Sequence, residues 1–486
     1  MLTRLVVSGF KNLVDIDVSF GPFTCIAGTN GVGKSNLLDA IQFLSALADR
    51  PLIDAALSVR DAGDKTGDVR GLFHHAGDRY GDTMSFAVEM IIPPVGVDDL
   101  GQEAKASSTF VSYSISLRRR EDNARHPGSL ELIKEELKQI TRDAASEHLP
   151  FHPSQSWREH AIKNSQSSPS LYISTEGEGD ARLIKIHQDG GSSGRPQVLR
   201  AANLPRTALS AANAAESPTA TLAKRELQSW RLLQLEPASL RAPDNFTSPF
   251  EMASDGAHLP AALYHLATVT SAGEEDEIYS DVANRLAELI DDVRSVGVDR
   301  DEKRQLLTLQ VTGRDGTTYP ARALSDGTLR FLALAVLSLD TAAGGLICLE
   351  EPENGIHPER IPAMIRLLQD LTTDTNQPVS PGNSIRQVII NTHSPAVVMQ
   401  VPEESLVVAE TTAMDRGGTS FRALQLRCLA GTWREGVNGM KSVAKGRLLG
   451  YLNPVAVLPD YPKTSRRVID RSDIRQLRIP LEDLAG

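Results

Sequence analysis

Short apolar runs that end abruptly in polar clusters set the rhythm of this chain. Phe23-Thr24-Cys25-Ile26-Ala27 is the first, and a continuous run of this length predicts a strand buried on both faces. Gly345-Leu346-Ile347-Cys348-Leu349 and Gln387-Val388-Ile389-Ile390 repeat the form. Ahead of the first run, residues 2–20 alternate in two short stretches around Gly9-Phe10-Lys11-Asn12, which predicts a hairpin-like strand pair. Further strands are predicted at 85–92, 109–117, 170–175 and 182–186, and a hairpin joins 305–311 to 317–319. Helical spacing covers 35–41, 221–235, 259–269, 277–293 and 331–339. Residues 129–143 fit both periods: Leu130, Ile133, Leu137 and Ile140 suit a helix face, while the neighbours suit an antiparallel sheet. From 144 to about 220 the composition turns to Ser, Pro, Gly and Asn, which predicts loops and an irregular insertion. No internal repeat or sustained heptad is present, so no long coiled-coil arm is expected.

Between the first strand and its helix lies Gly28-Thr29-Asn30-Gly31-Val32-Gly33-Lys34-Ser35, a full match to G-x-x-x-x-G-K-[ST]. Its glycines let the backbone approach a pyrophosphate, with the loop N–H groups and the helix N-terminus facing negative oxygens. Gly28, Asn30, Gly31, Gly33 and Asn36 are therefore candidate ATP-binding positions, Lys34 a β/γ-phosphate contact and Ser35 a Mg²⁺ ligand.

The second run ends in Glu350-Glu351-Pro352-Glu353. Phosphoryl transfer with Mg²⁺ needs one acid at the metal and one at the attacking water. Glu350 is assigned to the metal and Glu351 to the base. The third run ends in Asn391-Thr392-His393, where His393 is placed to bond a γ-phosphate. Ser325-Asp326-Gly327-Thr328 precedes an apolar helix, with Ser325 as its N-cap and Gly327 permitting close approach.

The 486 residues carry a net charge of -11, 41% hydrophobic and 23% charged positions, and three cysteines. Those totals predict a soluble protein of several structural units, without a disulfide framework or metal-binding cysteine spacing. The apolar stretch 331–337 is too short to span a bilayer, and no targeting segment is read at the start, so cytoplasmic residence and no membrane partner are expected. One stretch runs against the acidic total: residues 441–478 hold nine Lys/Arg against three Asp.

In order, the phosphate loop, Ser325-Asp326-Gly327-Thr328, the acid pair and His393 resemble the ATPase head of the ABC superclass, in its SMC/RecF/OLD branch. Glu350-Glu351-Pro352-Glu353-Asn354-Gly355-Ile356-His357-Pro358 resembles the E-E-P-E-x-x-x-H-P of OLD-like stand-alone ATPases, including ATPase subunits of anti-phage defence systems. Leu5 to Asn12 resembles the element that opens such heads. The resemblance implies an α/β P-loop NTPase head, a mixed central sheet flanked by helices, with an antiparallel β subdomain and a helical or irregular insertion. The expected division is 1–100 and 235–425 for the head, 101–234 for the insertion, and 426–486 for a basic C-terminal segment. It further implies a homodimer or higher oligomer with ATP sandwiched between the phosphate loop of one copy and Ser325 and Gly327 of the other. Residues 354–357 would lie beside the seam, and Lys11 would reach the α-phosphate.

Two departures stand out. Glu350 occupies a position where many relatives carry Asp, and no glutamine can be named for the lid-coupling position, near which only His74 and His75 fall. After Val408 only Glu410 and Asp415 are present, without the arrangement of a TOPRIM nuclease, so a nuclease within this chain is not expected. Three roles compete: a switch in phage defence whose effector, a nuclease or toxin, is a separate protein; a RecF-like ATPase acting directly on nucleic acid in repair; and, weakest, a transporter subunit.

Overall fold

The three apolar runs align as parallel neighbours, with one further parallel strand on each side, because each is hydrophobic on both faces and must be covered on both. In the computed structural model, the seven-stranded sheet runs Arg231–Leu233, Gly345–Glu350, Arg386–Thr392, Phe23–Ala27, Leu406–Arg416, Thr419–Leu429 and Ser442–Val443. The first five are mutually parallel; Thr419–Leu429 returns antiparallel. Successive side chains serve two cores. Ile26, Cys348 and Ile389 pack on one side with Leu37, Ile41 and Leu44 of helix Lys34–Leu47. Cys25, Leu349 and Ile390 pack on the other with Leu332 and Val336 of helix Asp326–Leu339. All three cysteines are buried and free, as small apolar side chains would be.

The structure describes residues 1–452 other than 60–68, 78, 121–129, 165–169, 190–193, 271–274, 291, 341–343 and 417–418. These residues form one compact unit, Met1–Leu452. Most of the basic stretch, from 453 onward, lies outside the described residues. No helix among the described residues is long and apolar enough to cross a membrane.

An eight-stranded antiparallel sheet covers the phosphate-loop helix, and strands from both sides of residue 100 share it. It contains Leu2–Ser8, Ile16–Ser19, Thr83–Ile91 and Phe110–Arg119, then Leu130–Gln139, Leu171–Glu176, Leu183–Ile186 and Gln197–Arg200. The segment that fitted two periods is thus a strand. Tertiary pairing decided it, since Leu130–Gln139 fills the space between two partners that alternate in and out. Residues read as irregular also contribute a strand here, Gln197–Arg200.

Two predicted helices run too far. The one expected at 221–235 ends at Gln228, and Arg231–Leu233 pairs in parallel with the strand that carries the acids. The one expected at 277–293 ends at Ala287, and Val293–Asp301 joins Leu306–Gly313 in a separate antiparallel sheet. In both cases apolar residues at helical spacing run on into the start of a strand, and only the pairing partner separates the two.

Glu135 shows how the insertion is pinned. Its carboxylate is fully buried, takes the N–H groups of Ala208 and Leu209 at 2.7 and 2.8 Å, and accepts from the Tyr113 hydroxyl at 3.1 Å. Burial pushes it up to about 7, against the opposing pull of Leu209, Ala208 and Tyr113. The fold therefore holds this proton more tightly than the unfolded chain, whose carboxyl titrates near 4.5. That contribution is complete below 4.5 and is lost as the pH rises towards about 7. Glu135→Gln carries no such proton. Thermal melts should show the stability of the native chain relative to this variant shrinking across that window and constant above it.

Candidate functional site

The strands of a parallel sheet deliver their C-terminal ends to one edge, and here four of them deliver polar residues. Beyond Ala27 the chain turns through Gly31 at φ 79° and Gly33 at φ 105°, the N-cap of helix Lys34–Leu47. Both angles lie in the region that a Cβ disfavours. A Cβ on Gly33 would come within 2.2 Å of Asn12 Nδ2, and one on Gly28 within 2.4 Å of the Ala409 carbonyl oxygen. Asn12 clamps the loop from outside: its Nδ2 donates to Val32 O at 3.0 Å, and its Oδ1 accepts from Asn36 Nδ2 at 2.8 Å.

Lys34 is buried and its ammonium donates to the loop's own carbonyls, Gly28 O at 2.7 Å and Thr29 O at 2.9 Å. Burial holds it below the usual lysine range, against the upward pull of Glu351, Glu353 and Glu350. A cation already facing three carboxylates gains from any phosphate placed between them.

Neighbouring residues on a strand point to opposite faces, so two successive acids share a cavity only if the strand stops between them. It does. The strand ends at Glu350, and Glu351 has φ 44°, a left-handed conformation rare for a residue with a side chain. Glu351 Oε1 then meets His393 Nδ1 at 2.7 Å, and its Oε2 accepts from Asn354 Nδ2 at 3.0 Å. Being acceptor-only when ionised, the carboxylate places the proton of His393 on Nδ1. Glu350 Oε1 accepts from Asn391 Nδ2 at 3.1 Å.

These pieces enclose a cavity of about 570 Å³ lined by Asn30, Gly31, Gly33, Lys34, Ser35 and Asn36 on one side and Glu350 and Glu351 on the other. Asn12, Asn354 and Asn391 complete its wall. The hydroxyl of Ser35 and the carboxylate of Glu350 thus open on one space, a hard-oxygen pair suited to Mg²⁺ that also takes phosphate oxygens. Gly28 lies beneath the loop, with its N–H on Thr392 O at 3.1 Å. His393 reaches the cavity through Glu351.

Three expected site residues lie elsewhere. Lys11 is nine-tenths buried, its Nζ paired with Asp39 Oδ2 at 2.9 Å, and it does not line the cavity. Ser325 caps its helix, accepting from Thr328 N at 3.2 Å, while Gly327 sits where a Cβ would fall 2.3 Å from Gly355 O. The exposed start of that helix is locked to the loop behind the acids: Arg330 donates to Asn354 O at 2.5 Å and to Leu235 O at 3.2 Å.

Gln234 escaped sequence reading. It follows directly on Arg231–Leu233, whose Leu233 pairs with Leu349, and it shares a second cavity of about 270 Å³ with Glu350, Glu351 and Asn354. It is a polar residue at a strand end beside the acids, and the overlong helix had concealed it. His74 instead bonds Lys11 O through Nδ1 at 2.8 Å and packs on Phe421. The signal available was the break at Ser229-Trp230 before Leu232-Leu233-Gln234.

Residues 206–399 match a family model described as "AAA domain, putative AbiEii toxin, Type IV TA system". Among curated proteins, a DNA replication and repair protein RecF of Parabacteroides distasonis is 48% identical over 46 residues, 9% of this chain and 13% of that protein. An OLD nuclease of Thermus scotoductus is 50% identical over 44 residues, 9% of this chain and 8% of that protein. A RecF of Porphyromonas gingivalis is 34% identical over 83 residues, 17% of this chain and 22% of that protein. The chain thus matches less than a quarter of the length of each of these relatives. Among solved structures, an SmcHead bound to the C-winged helix domain of ScpA aligns with TM-score 0.46 and 12% identity, covering 88% of this chain and 98% of that one. The SMC head domain from Thermotoga maritima aligns with TM-score 0.37 and 11% identity, covering 87% and 98%.

Proposed function

We propose that this chain, an ABC-superclass ATPase of the SMC/RecF/OLD type, is a switch that closes around ATP as a homodimer and opens on hydrolysis to ADP and phosphate. The observation that carries this reading is the single cavity that presents Lys34 and Ser35 to Glu350 and Glu351. In it the loop N–H groups and Lys34 bind the triphosphate, Asn12 and Asn36 hold the loop's curvature, and Glu351 accepts a proton from the attacking water. His393 and Asn354 fix the Glu351 carboxylate through its two oxygens. Mg²⁺, when held by Ser35 and Glu350, supplies charge neutralisation at the phosphates. Gln234 joins the set as the residue that reports on Glu350 from the neighbouring strand.

Ser325 and Gly327 do not line the cavity of their own chain, and the helix N-terminus that Ser325 caps is exposed. Both features suit a partner site: the positive end of a capped helix, exposed at Ser325 and Asp326, presented to the phosphates of a second copy. Ser325→Arg should therefore leave nucleotide binding to the single chain intact while abolishing ATP-dependent dimerisation and most hydrolysis. Light scattering with a non-hydrolysable ATP analogue checks the first loss, and phosphate release the second. A variant that still dimerises would remove the sandwich from this reading.

For the biological role, the family description names a toxin of a type IV system, and the OLD relative is a nuclease. Both suit a role in defence; that the effector is a separate protein rests on the sequence, which shows no TOPRIM arrangement after Val408. The RecF matches favour a second role, direct action on DNA. Affinity for DNA that falls steeply with added salt in the presence of ATP would select the second.

A further inference from the structure

The residues of strand Arg386–Thr392 and the turn after it take the three glutamates one by one. Asn391 Nδ2 donates to Glu350 Oε1 at 3.1 Å, Thr392 Oγ1 donates to Glu353 Oε1 at 2.5 Å, and His393 Nδ1 bonds Glu351 Oε1 at 2.7 Å. The register explains the first contact, since Glu350 and Asn391 are direct partners across the parallel pair.

Asn391 does more than its neighbours. It is 1% exposed and lines the cavity. The Glu351 N–H is shared between its backbone carbonyl and its side-chain Oδ1, each at 3.1 Å. That N–H belongs to the residue with φ 44°, the one whose conformation carries the second acid to the same side as the first. One amide side chain therefore spends its donor on one acid and its acceptor on the turn that places the other. A hydrophobic residue here would suit the strand equally well and would do neither.

We propose that Asn391 is a positioning residue for both carboxylates: its NH₂ aims Glu350 at the metal position, and its carbonyl oxygen holds the turn that brings Glu351 into the cavity. The inference rests on the nucleotide site described above and adds to it a residue that acts through the acids without touching the phosphates. It also accounts for glutamate at 350: the longer arm needs a donor to fix its direction, and Asn391 supplies one.

The test is a double-mutant cycle read by binding. Mn²⁺ affinity is measured by electron paramagnetic resonance in the presence of a non-hydrolysable ATP analogue, for the native chain, Asn391→Ala, Glu350→Gln and the double variant. Fluorescent nucleotide is titrated in parallel in EDTA. Asn391→Ala should weaken Mn²⁺ by about 10–100-fold, the usual loss when a residue behind a metal ligand is removed, with metal-free nucleotide affinity unchanged. In the Glu350→Gln background the same substitution should add nothing further, because its route to the metal is already gone. Asn391→Ser keeps a buried polar group too short to reach Glu350, and it carries the same expectation if the alanine variant does not fold. Equal Mn²⁺ affinity in Asn391→Ala and the native chain, or additive losses in the cycle, overturns the inference. A native chain that binds neither nucleotide nor Mn²⁺ overturns the nucleotide site itself, and the inference with it.

Discussion

Glu351→Gln should leave ATP binding intact and slow hydrolysis by about 10²–10⁴-fold, the range a positioned general base contributes. The substitution keeps the size of the side chain and an oxygen for His393 Nδ1, and removes the capacity to take a proton together with the acceptor for Asn354 Nδ2. The remaining contacts hold the side chain in place. Glu351 is anchored by His393 at 2.7 Å, by Asn354 at 3.0 Å and through its own N–H by Asn391. With chemistry blocked and binding preserved, the ATP-bound dimer should accumulate. Phosphate release in single turnover measures the slowing, and light scattering with ATP measures the trapped assembly. Hydrolysis at the native rate would move the base elsewhere among the cavity residues.

Lys34→Ala should have the opposite character, with affinity for ATP lost before chemistry is reached. The ammonium donates to Gly28 O and Thr29 O, buried at the floor of the loop and facing Glu350, Glu351 and Glu353. A bound triphosphate would exchange those neutral carbonyls for anionic oxygens. Hydrogen bonds to charged groups contribute about 1.5–3 kcal/mol each, so two of them correspond to about 10²–10⁴-fold in Kd. Three carboxylates without their cation would repel the phosphates further. Titration with a fluorescent ATP analogue gives the loss directly, and a melting temperature close to native would show that the loop glycines and Asn12 still hold the fold. Native affinity in this variant would mean that the triphosphate does not bind beside Lys34.

Contacts among the acids also indicate what the third glutamate does. Glu353 is buried, its carboxyl is raised by that burial, and one of its oxygens has no hydrogen-bond partner among the described residues. Its bond to Thr392 ties the acid loop to the end of the strand that leads into His393.

What the sequence determined by itself is whatever depends on a few consecutive residues. The phosphate loop was legible because a left-handed turn between a buried strand and a helix demands glycine at fixed spacing, and the structure places Gly31 and Gly33 in that conformation. The buried strands were legible because burial on both faces leaves an apolar run several residues long, and the Ser325 cap because its hydroxyl serves its own helix. Tertiary structure alone decided the rest. Whether 231–233 prolongs a helix or starts a strand depended on a partner more than a hundred residues away, and Gln234 came to light only with that answer. Lys11, a fair phosphate contact by position, is instead committed to Asp39, which no spacing announces. Asn391, an unremarkable amide in the chain, acquires its meaning from lying opposite Glu350. Local conformational preference is written into neighbouring residues, whereas the pairing of strands is settled by how all of them bury their faces at once.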